Sequence, residues 1–143
     1  MNLEMIYSGC STLAMIGWLA LALAPVKRDY AISFARGIAI ILALAYLAQL
    51  LLITEKVEGG GFSTLAGVQA LFTKSGNVMM GWTHYLAFDL FIGSWQAEDA
   101  PRSGVPHWLL IPCLILTLMF GPIGLLLYFA VRTVKRMAAP RAT

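Results

Sequence analysis

Four apolar stretches, at about 5–24, 31–54, 78–96 and 108–131, follow one another along the chain with short polar breaks between them. Each is close to the roughly 20 residues that an α-helix needs to cross a bilayer core of about 30 Å. Pro25 and the charged run Lys27-Arg28-Asp29 stop the first stretch. The second is rich in Leu, Ile and Ala, and only Arg36, Tyr46 and Gln49 interrupt it. After the third, Glu98, Asp99, Pro101, Arg102 and Gly104 read as a polar turn. Within the fourth, Gly121-Pro122 breaks the pattern, because a proline ring denies the carbonyl of Leu118 its helical hydrogen bond and kinks the helix.

Between the second and third stretches lie Gly59, Gly60 and Gly61, and then apolar residues at helical spacing from 62 to 72. That segment is too short to cross a bilayer and predicts an interfacial or re-entrant helix capping the bundle. The expected fold is therefore all-α, an integral membrane four-helix bundle in one domain over 1–143, with a basic tail over 132–143. Four crossings put both termini on one side. The basic residues near the first loop and those after the fourth stretch then lie on opposite sides, and the excess of Lys and Arg in cytoplasmic loops cannot hold for both.

Composition agrees with a membrane protein: 59% of residues are hydrophobic and 12% charged, against about 25% charged in soluble domains. The formal net charge of +3 comes from basic residues that flank apolar segments. Such flanks suit lipid headgroups and topology signals, whereas nucleic acid would need a basic face or groove. Cys10 and Cys113 lie in different segments with no metal or redox spacing and read as packing residues. Ser8-Gly9-Cys10 precedes the hydrophobic stretch where a lipoprotein cysteine would follow it. Ala22-Leu23-Ala24 is followed directly by proline, so the first segment is expected to stay as a membrane helix.

The third stretch contains GWTHYLAFDLFIGSW at 81–95, which carries His84 and Asp89 where charge is expensive. Five residues apart, they diverge by about 140° around a helix and do not form a ready-made dyad. Trp82, Tyr85, Asp89, Gly93 and Gln96 share one side, and His84, Phe88, Phe91 and Trp95 the other. With helices alternating in direction, Asp89 lies roughly 10 Å from the end of its stretch and Arg36 about 8 Å into its own. These depths allow an Arg36–Asp89 ion pair, either as a functional device or as a lock on helix register, with Arg36 snorkelling to the nearby surface as the alternative. His84 lies near the levels of Tyr46, Gln49 and the Gly121-Pro122 kink, where a polar cavity is expected; a bond to a neighbouring carbonyl would serve it equally well. Trp82, Trp95 and Trp108 suit interface-belt anchors.

The string from Gly81 to Gly93, with Pro112-Cys113-Leu114, Phe120-Gly121-Pro122-Ile123-Gly124-Leu125-Leu126 and Gly61-Phe62-Ser63, resembles the abscisic-acid-deficient-four-like family. Plant members are chloroplast membrane proteins needed to make neoxanthin from violaxanthin. The resemblance implies a protein that binds and isomerises a carotenoid or related isoprenoid lipid. Opening an epoxide and removing a ring-adjacent proton to leave an allene needs a general acid at oxygen and a general base at carbon. By this resemblance His84 and Asp89 are the catalytic candidates, with Arg36, Tyr46, Gln49, Trp82, Tyr85, Phe88 and Pro122 as substrate-binding candidates.

No cofactor is expected for such a proton transfer. An amino terminus unlike a transit peptide points to a bacterial inner-membrane protein, for which a carotenoid or isoprenoid lipid other than the plant substrate is expected. The alternative is a non-enzymatic pigment- or lipid-binding scaffold or assembly subunit, with membrane lipids and another membrane protein as partners. A transporter would need a continuous polar path, which two isolated ionisable levels do not supply.

Overall fold

The computed structural model describes residues 2–24 and 27–138. Pro25, read as the stop of the first stretch, lies outside the described residues, as does the end of the basic tail from 139. Six helices make up the described residues, and no strand occurs among them: α1 Leu3–Ala22, α2 Arg28–Leu52, α3 Leu65–Leu71, α4 Ser75–Arg102, α5 His107–Phe120 and α6 Pro122–Ala138. Of these, α1 and α2 are long and apolar enough by themselves to cross a membrane.

Helices α1, α2 and α4 run alternately up and down and pack closely on one another. Small residues set their separation: Ala14, Ala35, Ala39, Ala87, Ala97 and Ala100 are all buried between them. At Gly93 the ring of Trp18 comes so close that an added Cβ would lie 2.6 Å from it. The amino terminus of α1 is capped by the Asn2 side chain, which accepts from the backbone amides of Glu4 and Met5. At the opposite end the His107 ring bonds the carbonyl of Ala22 at 2.9 Å, tying the start of α5 to the end of α1.

Helix α4 is longer than the apolar pattern predicts. Glu98, Asp99, Pro101 and Arg102 belong to its last turns and do not form a polar turn. The helix continues because these charges find partners on α2 and α6: Arg36 reaches Glu98, and Arg132 reaches Asp99. At its other end α4 holds the 53–72 segment through Asn77, which donates to the carbonyls of Glu55 and Leu71 and accepts from the amide of Glu55. The short α3, capped by Thr64, lies at that end of the bundle with Phe62 and Leu65 exposed.

The largest departure concerns the fourth stretch, which is a helical hairpin and not one kinked helix. Gly121 has φ 45° and ψ −91°, a left-handed conformation that reverses the chain. Its amide closes α5 on the carbonyl of Thr117, and its own carbonyl accepts from Leu125 to open α6. Pro122 is thus the first residue of a new helix, where its missing N–H costs nothing. The α6 arm runs back along α5: Leu109 lies beside Ala130, Val131 and Val134, and Arg132 donates to Ser103, just before α5. Arms of 14 and 17 residues span about 21 and 26 Å, each short of a bilayer core of about 30 Å.

The hairpin brings the carboxyl-terminal basic residues back to the end that holds the first loop. Lys27, Arg28, Arg36, Arg102, Arg132, Lys135 and Arg136 lie at or near one end of the bundle, and Lys56 and Lys74, with Glu4, Glu55 and Glu58, at the other. The conflict in the charge distribution belongs to a fourth stretch that runs through as one helix, and the hairpin does not carry it.

The contact at Gly93 yields a stability prediction. Gly93→Val drives two methyl groups into the Trp18 ring and forces α1 and α4 apart. The expected loss is about 1–3 kcal/mol, read as a lower thermal midpoint of the detergent-solubilised protein, whereas Gly37→Ala, which meets open space inside α2, does not lower the midpoint and adds up to about 1 kcal/mol of stability.

Candidate functional site

His84 and Asp89 are not brought together. His84 is exposed on the α2 side of α4, stacked on Phe88 with ring centroids 4.6 Å apart and tilted against Tyr46 at 5.5 Å. Asp89 faces the hairpin tip on the other side; a Cβ on Gly121 would lie 3.0 Å from its Oδ1. Its Oδ2 is buried with no hydrogen-bond partner, and among the described residues no cation lies within ion-pair distance of it.

The expected Arg36–Asp89 ion pair is not formed. Arg36 pairs instead with Glu98 at 2.5 Å, and its Nε donates to Ser94 at 3.3 Å. The third helix does not end at 96. With α4 continuing to Arg102, Asp89 lies about 20 Å from that end, and Glu98 takes the level of Arg36.

Nor do the polar groups expected around His84 share one cavity. Gln49, buried at 3% exposure, donates to Thr83 at 3.0 Å, which locks α2 to α4. Tyr46 stays with His84, while Pro122 belongs to the hairpin on the far side. Phe88 lines a separate apolar groove of about 290 Å³ between α2 and α4, with Ala39, Ala43 and Phe91.

Trp82 and Tyr85 do form part of a common site. They line an open groove of about 470 Å³ between α1, α4 and α5, with Tyr7, Ser11, Leu118 and Met119. Trp82 lies between Tyr7 and Tyr85, tilted against both at centroid distances of 5.6 and 5.4 Å, and donates its indole N–H to Ser11. Tyr85 donates its hydroxyl to the carbonyl of Leu118, the group that Pro122 leaves without a helical partner. Asp89 stands one helical turn beyond Tyr85, against the hairpin tip. A second cavity of about 330 Å³ shares Tyr7 and Trp82 and extends the groove to Glu4, Thr73 and Ser75 at the end of the bundle. Nothing in the spacing of Tyr7 and Ser11 distinguishes a groove wall from a packed helix face.

A second polar cluster surrounds Asp99. Its Oδ2 accepts from Tyr128 at 2.7 Å, Arg132 at 2.7 Å and Ser103 at 2.8 Å. Burial pushes the Asp99 carboxyl up, but the hydrogen bonds from Arg132, Tyr128 and Ser103 outweigh it and hold the group at about 2. The hydrogen bond and charge of Arg36 likewise lower Glu98. The spacing of Tyr128 and Arg132, one turn apart on α6, was the available signal. Gln96 and Thr117, both fully buried, join α4 to α5 by two reciprocal hydrogen bonds of 3.0 and 3.2 Å. Cys10 and Cys113 are buried free thiols. Among the described residues no group of three or more His, Cys, Asp or Glu is placed to hold a metal ion.

The family model described as ABA DEFICIENT 4-like matches residues 5–128, and the chain belongs to that family. Neither the curated proteins nor the solved structures compared with it give a match.

The Asp99 cluster predicts a pH dependence. A carboxyl held below its ordinary 3.8 stabilises the fold fully above that value and loses the contribution as pH falls through about 2. Asp99→Asn should cost about 2 kcal/mol near neutrality. Thermal melts of the two proteins should converge as the pH drops from about 4 towards 2; a gap that is constant over that range would remove Asp99 ionisation as its cause.

Proposed function

We propose that the chain is a multi-pass membrane protein that holds a carotenoid or related isoprenoid lipid in the Tyr7–Trp82–Tyr85 groove and isomerises it at Asp89. Family membership supports a neoxanthin-synthesis-like membrane protein. The observation that carries the finer reading is the unpartnered carboxylate oxygen of Asp89, one turn from an aromatic, mainly apolar groove. A conjugated lipid suits flat aromatic walls, and an ionisable side chain kept in so costly a place without a partner marks a functional site by default.

In this reading α1, α2 and α4 cross the membrane, and α5–α6 is a re-entrant hairpin entering from the basic end. That end faces the cytoplasm, since basic residues concentrate on that side, and the amino terminus lies outside. In a bacterium the membrane concerned is the inner one. At the hairpin tip Gly121 is buried, the carbonyl of Leu118 accepts from Tyr85 and that of Gly121 from Leu125, which suits non-helical backbone at membrane depth.

The chemistry needs no net gain or loss of electrons. The Asp89 carboxylate takes a proton from one carbon of the bound ligand, and the resulting acid returns it to a second atom of the same conjugated system. Tyr85, held by the Leu118 carbonyl, shapes the wall beside it, and Trp82 supplies a flat surface for the polyene. Glu4, Thr73 and Ser75 offer hydrogen bonds to a hydroxyl at the far end of a long ligand. His84 faces away from this groove, so the proton step falls to Asp89 alone.

The test is mass-spectrometric analysis of pigments and lipids in membranes from cells with the gene deleted, restored, or restored with Asp89→Asn or His84→Ala. The deletion and Asp89→Asn should accumulate the same precursor, with product at least about tenfold down, and His84→Ala should match the restored strain. If Asp89→Asn restores the full profile, the isomerase is excluded. A non-enzymatic scaffold that presents pigment to a partner then takes its place.

A further inference from the structure

A cavity of about 300 Å³ opens between α2 and α4 at the basic end, and Arg28, Asp29, Ser33, Arg36, Glu98 and Arg102 contribute to its lining. It is remote from the aromatic groove and plays no part in the proposed chemistry. We infer that it holds the phosphate of an anionic phospholipid headgroup. The inference rests on reading the chain as a membrane protein, and not on the ligand or the role of Asp89.

Three guanidinium groups face two carboxylates there. Glu98 is shared, lying 2.5 Å from Arg36 and 3.6 Å from Arg102, and Arg28 gives one N–H to the carbonyl of Ala97 at 3.1 Å. Each guanidinium carries five N–H donors, so most remain free for an incoming oxyanion, and their planar forks match phosphate in pairs. Ser33 adds a hydroxyl. The start of α2 adds the positive end of a 25-residue helix, on which Lys27 makes no side-chain capping bond.

The surroundings favour a lipid over free phosphate. Tyr30 and Phe34, each next along α2 to a residue of the cavity wall, are 77% and 51% exposed and offer an apolar surface along which acyl chains would lie. Ile32 carries that apolar character into the cavity itself. Lys27, Arg132, Lys135 and Arg136 surround the same end, the pattern that seats a protein against an anionic leaflet.

The test reconstitutes the full chain in vesicles of equal phosphatidylglycerol and phosphatidylcholine, re-extracts it in detergent, and reads retained lipid by native mass spectrometry. Phosphatidylglycerol should be retained in preference. Arg28→Gln and Arg102→Gln should each lower that retention several-fold and together about tenfold. Lys135→Gln with Arg136→Gln removes the same charge from the same end and should change it less than about twofold. Arg102 has a side chain 71% exposed, so its variant tests the site without burdening the fold.

Equal loss in the two double variants would reduce the effect to general attraction and overturn the site. Displacement of the lipid by millimolar inorganic phosphate would assign the cavity to a soluble anion and overturn the lipid. Retention of phosphatidylcholine with no preference would leave the membrane reading standing and sink this inference. Extraction of the chain without detergent, with no lipid retained, would sink the membrane reading as well.

Discussion

A chain that turns back inside a bundle leaves backbone carbonyls and amides without helical partners, and in an apolar setting each such group is expensive. At Gly121 this chain reverses within a single residue. The carbonyl that Pro122 leaves free, on Leu118, is taken by the hydroxyl of Tyr85. Above that contact Gln96 and Thr117 exchange two hydrogen bonds, and above them Asp99 gathers Tyr128, Ser103 and Arg132. Helix α4 is thus the partner of the hairpin from tip to base. Its length, its polar residues and the return of the carboxyl-terminal basic residues all depend on that pairing.

The same pairing creates the candidate site. Because the tip stops beside Asp89, the carboxyl lies against glycine backbone and not against a cation. Because α5 stops there too, a groove stays open below it, walled by α1 and α4 and lined by Tyr7, Trp82 and Tyr85. A continuous fourth crossing would have given α4 a different set of neighbours along that face. The reading of Asp89 as a proton carrier therefore stands on the hairpin, whereas the Arg-lined cavity between α2 and α4 stands apart from it.

Much of this was legible in the residues. The apolar runs located α1 and α2 to within about three residues, since few other patterns satisfy about 20 apolar residues in a row. The divergence of His84 and Asp89 followed from helix geometry alone and holds in the structure. The end of α4 was not legible, because Glu98 to Arg102 has the composition of a turn and stays helical only through partners on α2 and α6. The wrong end misplaced every depth counted from it, and so the partner of Arg36. At Gly121-Pro122 the sequence announced a break but not its angle. A kink and a reversal share the same residues, and only the positive φ of Gly121 separates them. The unresolved charge distribution was itself a signal against four crossings, and Tyr128 and Arg132 one turn apart on α6 were another.

The arrangement stands or falls on which side of the membrane the two ends of the hairpin lie. The measurement is side-specific labelling of single introduced cysteines, Glu4→Cys, Arg102→Cys and Met137→Cys, in sealed membrane vesicles with a membrane-impermeant thiol reagent. The native Cys10 and Cys113 are buried and serve as the unlabelled background. A re-entrant hairpin predicts that positions 102 and 137 react from the same, cytoplasmic side and position 4 from the opposite one. Labelling of position 137 from the side of position 4 would mean that the fourth stretch crosses the membrane, and would contradict the hairpin and the site built on it.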